Sequence, residues 1–245
     1  CMPNSESNFL RTILLLSVCF AFSGTTSSLT VSATSLVGYG IADNKALATL
    51  PLSFHLLGTM LAGIPASLLM KRVGRRYGFM IGTGIGASGA AAATIAIIYS
   101  NFVFFCMSIF LLGILSGFSQ LYRFTAADVA RPEFRTKAVS LVMFGGILAG
   151  FIGPTIAAKA KDLIADAPFA GSYLFVIMFH VVIVAILFMI RLPQPSLEEQ
   201  TGKSRPWREI FSQPKFIVAV LTSMVGYGVM AMIMTATPLA MTVGS

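Results

Sequence analysis

Two histidines, His55 and His180, are the side chains within the long apolar stretches of this 245-residue chain whose ordinary titration lies near neutrality. Buried in an apolar setting, each could carry a proton or simply hydrogen-bond two neighbouring segments together. His55 is the stronger candidate for a coupling proton. Hydroxyls offer a second kind of chemistry. Ser23, Ser27, Thr30 and Thr34 recur at i, i+4, i+7 and i+11, and so share one face if the segment is helical. Ser223, Tyr227, Met230, Met234 and Thr237 form a similar stripe near the end. Either stripe could touch a polar solute or bond helix to helix. No Ser/His/Asp set, His-x-x-Glu-His pair or metal-ligand spacing is present, so no enzyme chemistry, cofactor or metal is expected.

The elements that must position these residues follow from composition. The chain is 56% hydrophobic and 11% charged, against roughly 25% charged in soluble domains. Crossing a hydrocarbon core takes about 20 apolar residues per helix. Seven runs qualify, at about 9–37, 46–70, 77–99, 102–123, 138–158, 170–190 and 215–241. The expected fold is therefore an all-α, multi-pass integral membrane protein. The first run is too long for a cleaved signal segment and is read as a retained span. Cys1 followed by Met2 shows no lipoprotein signature, so the chain is expected to be cut from a longer reading frame.

Fourteen of the seventeen Lys and Arg residues fall at the N-terminus and in the connections after runs 2, 4 and 6. This bias predicts that the N-terminus and those connections are cytoplasmic, in a plasma (bacterial inner) membrane. The net charge of +8 is then a topology and lipid-headgroup signal. Nucleic acid is not an expected partner, because the basic residues flank spans and are not interleaved with aromatics.

Within Leu68–Ala93, "LLMKRVGRRYGFMIGTGIGASGAAAA", the residues Gly84 to Gly89 match G-x-G-x-x-G. A dinucleotide site needs a strand before such a turn, whereas these glycines lie inside an apolar run behind a charged loop. Gly82, Gly86 and Ala90 recur every four residues and predict close helix packing instead.

The loop itself carries a resemblance. "SLLMKRVGRR", Ser67 to Arg76, is similar to the loop between spans 2 and 3 of the major facilitator superfamily, G-x-L-a-D-R-x-G-R-R, through Leu69, Arg72, Gly74, Arg75 and Arg76. Ser67 replaces the pattern's Gly, and Lys71 its acid. In that family the acid joins a charge network at the cytoplasmic helix ends, so Lys71 puts the standard network in question. After run 4, Asp128, Arg135, Lys137 and Ala138 resemble the family's D-x-x-x-x-x-x-R-x-x-A segment, before a Gly-rich fifth run ending in Gly153-Pro154. The antiporter-type fifth-span motif is matched only in part, by Ala149 and Gly150. The fourth-span arginine of many proton-coupled members is replaced near Ile109.

The resemblance implies a six-helix half of 3+3 inverted repeats over 1–190, a cytoplasmic linker over 191–214 and the first helix of an incomplete second half over 215–245. It further implies a secondary transporter moving a small solute, by uptake or efflux, through alternating access, with protons or another ion as coupling partner. Spans 1, 4 and 7 would line the cavity. Ser116, Gln120 and Arg123 are expected to share a face of span 4. Arg123 lies about 32 Å along the helix from Phe102, so it either snorkels to headgroups or draws anionic solutes into the inner vestibule. Asp128, one helix stretch further on, is predicted to pair with Arg72, Arg75 or Lys71. His180 ranks behind His55 because sixth helices of the family tend to face lipid. A seven-helix receptor or a non-transporting scaffold is the alternative.

Overall fold

A computed structural model describes residues 4–164, 167–190, 192 and 212–243. All regular structure among them is helical: α1 (Asn4–Ile41), α2 (Leu50–Val73), α3 (Arg75–Ile98), α4 (Phe102–Ser119), α5 (Tyr122–Val129), α6 (Arg135–Ala160), α7 (Ala170–Met189) and α8 (Pro214–Val243), with short 3₁₀ turns at Lys45–Leu47 and Pro132–Phe134. Among the described residues, six helical segments are long and apolar enough to cross a membrane, the fourth being α4 and α5 together. The seventh apolar run folds as α8, of 30 residues.

The described residues up to 192 and those from 212 onward form two separate units. In the first, α1 packs chiefly on α6, and α4 on α2 and α3. The first span thus holds the fifth as the fourth holds the second, the pairing two inverted three-helix repeats produce. Apolar side chains gain little by leaving lipid for one another, so such helices associate through close packing of small residues. The glycines show it. A Cβ on Gly145 would lie 2.8 Å from the Ser17 carbonyl oxygen, and one on Gly153 would lie 2.8 Å from the Leu29 nitrogen, so α6 lies against the α1 backbone. Across α2 and α4, a Cβ on Gly58 would come within 2.4 Å of the Phe110 carbonyl and one on Gly113 within 2.1 Å of the His55 carbonyl. Gly82, Gly86 and Gly89 of α3 admit Phe118, Leu115 with His180, and Leu111 in the same way. The G-x-G-x-x-G run therefore lies in mid-helix, with Gly86 and Gly89 packed and Gly84 and Ser88 exposed.

Helix boundaries follow local chemistry. Asn101 caps α4 by accepting from the Phe104 amide at 2.9 Å. Gly74, at φ 88°, takes the left-handed turn between α2 and α3 that a side chain would strain. Span 4 is interrupted: α4 ends at Ser119, the Leu121 amide bonds the Phe118 carbonyl, and α5 restarts at Tyr122. Ser116 and Ser119 donate to carbonyls four residues back, a habit that bends helices.

Candidate functional site

The glycine contacts between α2 and α4 set the first site. Thr59 Oγ1 donates to the carbonyls of His55 (2.9 Å) and Gly113 (3.1 Å), pinning one backbone to the other. One helical turn along α4, Ser116 Oγ then lies 3.4 Å from His55 Nε2 and 3.4 Å from Ser27 Oγ of α1, while donating to the Leu112 carbonyl at 3.2 Å. The two 3.4 Å contacts are long for hydrogen bonds. His55 and Ser116 are buried and Ser27 is half-buried. Three helices thus bring a hydroxyl, a hydroxyl and an imidazole together, all electrically neutral when the imidazole is unprotonated. Such a set can donate to and accept from a polar solute group without fixing a charge.

The hydroxyl stripe of α1 divides. Ser27 turns towards α4. Ser23, Thr30 and Thr34 are buried, and Thr34 Oγ1 lies 3.3 Å from the Tyr173 hydroxyl of α7. The three span-4 residues expected to share a face, Ser116, Gln120 and Arg123, lie on either side of and at the break in span 4. Ser116 is buried on α4, Gln120 is exposed at the interruption, and Arg123 is half-buried on α5 with its guanidinium over Phe124 at 5.0 Å. On α8, Ser223, Tyr227 and Met230 are exposed; the side chain of Met234 lies outside the described residues, as does most of the 191–214 linker.

The end of the bundle that carries the basic loop is tied by two arginines. Arg75 pairs with Asp128, one of its three expected partners, and also donates to Thr125 Oγ1 at 3.0 Å. Arg76 donates to the Phe188 carbonyl at 3.0 Å, at the end of α7, and lies over the Phe188 ring at 5.6 Å. Beneath them Phe79 and Tyr122 stack at 4.0 Å and 4°. The start of α3 thereby holds α5 and α7 together. Lys71 is half-buried, and Arg72 and Arg135 are exposed.

His180 departs from the expectation of a lipid-facing sixth helix. It is 1% exposed, with Nδ1 2.5 Å from the Val176 carbonyl and Nε2 against Gly86 of α3. The sequence signal for its burial sits on another helix: Gly86 of α3 is the gap that admits the ring.

The sequence pattern of the Major Facilitator Superfamily matches residues 13–244. The chain belongs to the major facilitator superfamily. A riboflavin transporter of Brucella anthropi, RfnT, is 35% identical over 235 residues, covering 94% of this chain and 58% of the relative. This superfamily member therefore spans under two thirds of that relative's length. Among solved structures, the E. coli fucose:proton symporter FucP superposes with a TM-score of 0.60 at 16% identity, over 84% of this chain and 55% of FucP. FucP in the outward conformation gives 0.58 at 17% identity, over 82% and 54%. At those identities the likeness concerns the fold alone. The chain is thus a multi-pass member of that superfamily, with helix as the regular structure among the described residues.

Proposed function

We propose that residues 1–190 are the six-helix half of a secondary transporter for riboflavin or a close flavin, 191–214 its cytoplasmic linker and 215–245 the first helix of the second half. The observation that carries the flavin reading is the 35% identity to the riboflavin transporter across 94% of the chain. The chemistry of the first site agrees with it. Ser27, Ser116 and His55 present neutral donors and acceptors, suited to the imide edge and ribityl hydroxyls of an uncharged flavin. The carrier rocks about this level, exposing it alternately to each side, as repeat-built transporters do. In the second half, Ser223, Tyr227, Met230 and Met234 are the candidate solute contacts.

The charge distribution supports a cytoplasmic N-terminus in the plasma membrane, the bacterial inner membrane, with Lys71, Arg72, Arg135 and Lys137 at lipid headgroups. Arg75, Arg76 and Asp128 close the cytoplasmic end, with Gly74 as the turn that presents the two arginines. Arg123 snorkels there. Protons are the coupling ion we favour, since no Asp or Glu lies within 9–37, 46–70, 77–99, 102–123, 138–158 or 170–190 and histidine is left as the group that titrates near neutrality.

The test is uptake of radiolabelled riboflavin by the full-length gene product in a bacterium that makes no flavin and lacks its own importer. Saturable uptake that falls at least tenfold in Ser116→Leu is expected. A fluorescently tagged protein that inserts at normal abundance, yet neither takes up nor extrudes riboflavin, would refute the flavin assignment and favour a receptor or scaffold.

A further inference from the structure

The interruption of span 4 leaves α5 to be held by other helices, and three of its residues show which ones hold it. Tyr122, the first residue of α5, is 2% exposed. Its ring lies flat on Phe79 of α3 at 4.0 Å, and its hydroxyl abuts those of Ser23 on α1 and Thr83 on α3. One turn on, Thr125 accepts from Arg75 at 3.0 Å, and Asp128 pairs with the same arginine. Of these partners Ser23 alone stands on α1; the others belong to α3.

The three hydroxyls form a sequence with one open place. Thr83 gives its proton to the Phe79 carbonyl at 2.8 Å, which leaves its oxygen as an acceptor for the Tyr122 O–H. Tyr122 in turn keeps lone pairs for a further donor. Ser23 Oγ has a proton to give: it is buried, at 3% exposure, and makes no hydrogen bond. A buried polar group without a partner is rare in folded proteins and calls for an explanation. Ser23 also stands four residues before Ser27, about 6 Å along α1 and 40° round it, and Ser27 lies 3.4 Å from Ser116 in the first site.

We propose that Tyr122 is a positioning residue of the first site: by accepting the Ser23 proton it sets where Ser27 stands against Ser116, and it does so from a helix that α3 holds. The bond closes by a turn of the Ser23 side chain or a small slide of α1 over α5. Solute gripping Ser27 favours the closed arrangement. A linkage of this kind is reciprocal, so solute that is held better because of the tie also steadies α5. Tyr122 touches no solute itself. The positioning role rests on the transport reading and, for the choice of solute, on the flavin reading; the hydroxyl tie between α1 and α5 rests on neither.

Two measurements on the full-length protein in nanodiscs decide it, with Tyr122→Phe, which keeps the ring on Phe79, and Ser23→Ala, which removes a hydroxyl from another helix. Without solute, hydrogen exchange read by mass spectrometry over residues 122–129 should run at least fivefold faster in each variant than in wild type. The double variant should exchange no faster than the faster single one, because both remove the same bond. Wild-type exchange in Ser23→Ala, or effects that multiply in the double variant, would overturn the tie. With riboflavin, quenching of flavin fluorescence should give a Kd at least fivefold weaker in each variant, while the maximal rate of transport in proteoliposomes stays within twofold. Riboflavin should slow exchange over 122–129 in wild type and in neither variant. A loss confined to the maximal rate, with Kd unchanged, would overturn the positioning role. Wild type that binds no riboflavin yet shows the solute-free exchange pattern would sink the flavin reading and uphold the tie.

Discussion

The seams that α1 makes with α6 and with α7 are opposites. Against α6, glycine meets backbone: Gly145 faces the Ser17 carbonyl and Gly153 the Leu29 nitrogen, with no room for a methyl group. Against α7, side chains make the contact: Phe22 stacks on Phe179 at 5.2 Å and Thr34 Oγ1 lies 3.3 Å from the Tyr173 hydroxyl. The difference teaches how a bundle in lipid divides its labour. Glycine seams supply dispersion and rigidity where hydrophobic driving force is weak, and a seam of side chains holds its helices through ring stacking and a hydroxyl contact instead.

The largest effect that would sharpen this contrast comes from filling a glycine seam. Gly113→Val puts carbon where the His55 carbonyl lies 2.1 Å away, and overpacking against backbone should cost about 3 kcal/mol or more. Loss of the folded peak in detergent size-exclusion is expected, and a normal peak would break the account. Gly153→Val should behave alike. By contrast Gly150, four residues from Gly146 on the same helix, has nothing within 4 Å, so Gly150→Ala should shift stability by no more than about 1 kcal/mol, the helix-propensity difference.

Smaller again is the charged end. Arg75 and Asp128 are 30% and 52% exposed as side chains, and pairs at that exposure contribute about 0.2–1 kcal/mol. A double-mutant cycle of Arg75→Ala and Asp128→Ala on thermal unfolding should give coupling in that range, weakened by salt. On α1, Thr30→Val removes a buried hydroxyl that makes no hydrogen bond, so thermal stability should change by under about 1 kcal/mol. A larger loss would mean that the hydroxyl carries structure.

The sequence made some of this legible and hid the rest for physical reasons. Spans could be read because lipid demands about 20 apolar residues in a row, and the Arg75–Asp128 pair because both charges flank spans at one end. The small-residue face of Gly82, Gly86 and Ala90 announced close packing but not its partners, which are Phe118, Leu115 and His180 on other helices. The break after Ser119 left no proline or glycine at the interruption to mark it. Arg76 bonds a backbone carbonyl, and a carbonyl has no sequence signature. The stripe Ser23–Ser27–Thr30–Thr34 was visible by spacing, yet its division between α4 and α7 depends on which helices flank α1.

The central claim is that solute passes on the Ser27 side of α1 and not on the Thr30 side. Single cysteines at Ser27 and at Thr30, in the full-length protein lacking Cys19 and Cys106, can be tested with a membrane-impermeant thiol reagent with and without saturating riboflavin. The account predicts that the thiol at position 27 is modified and that riboflavin slows the reaction at least fivefold, while any reaction at position 30 is unaffected. Protection at position 30 with none at position 27 would contradict it.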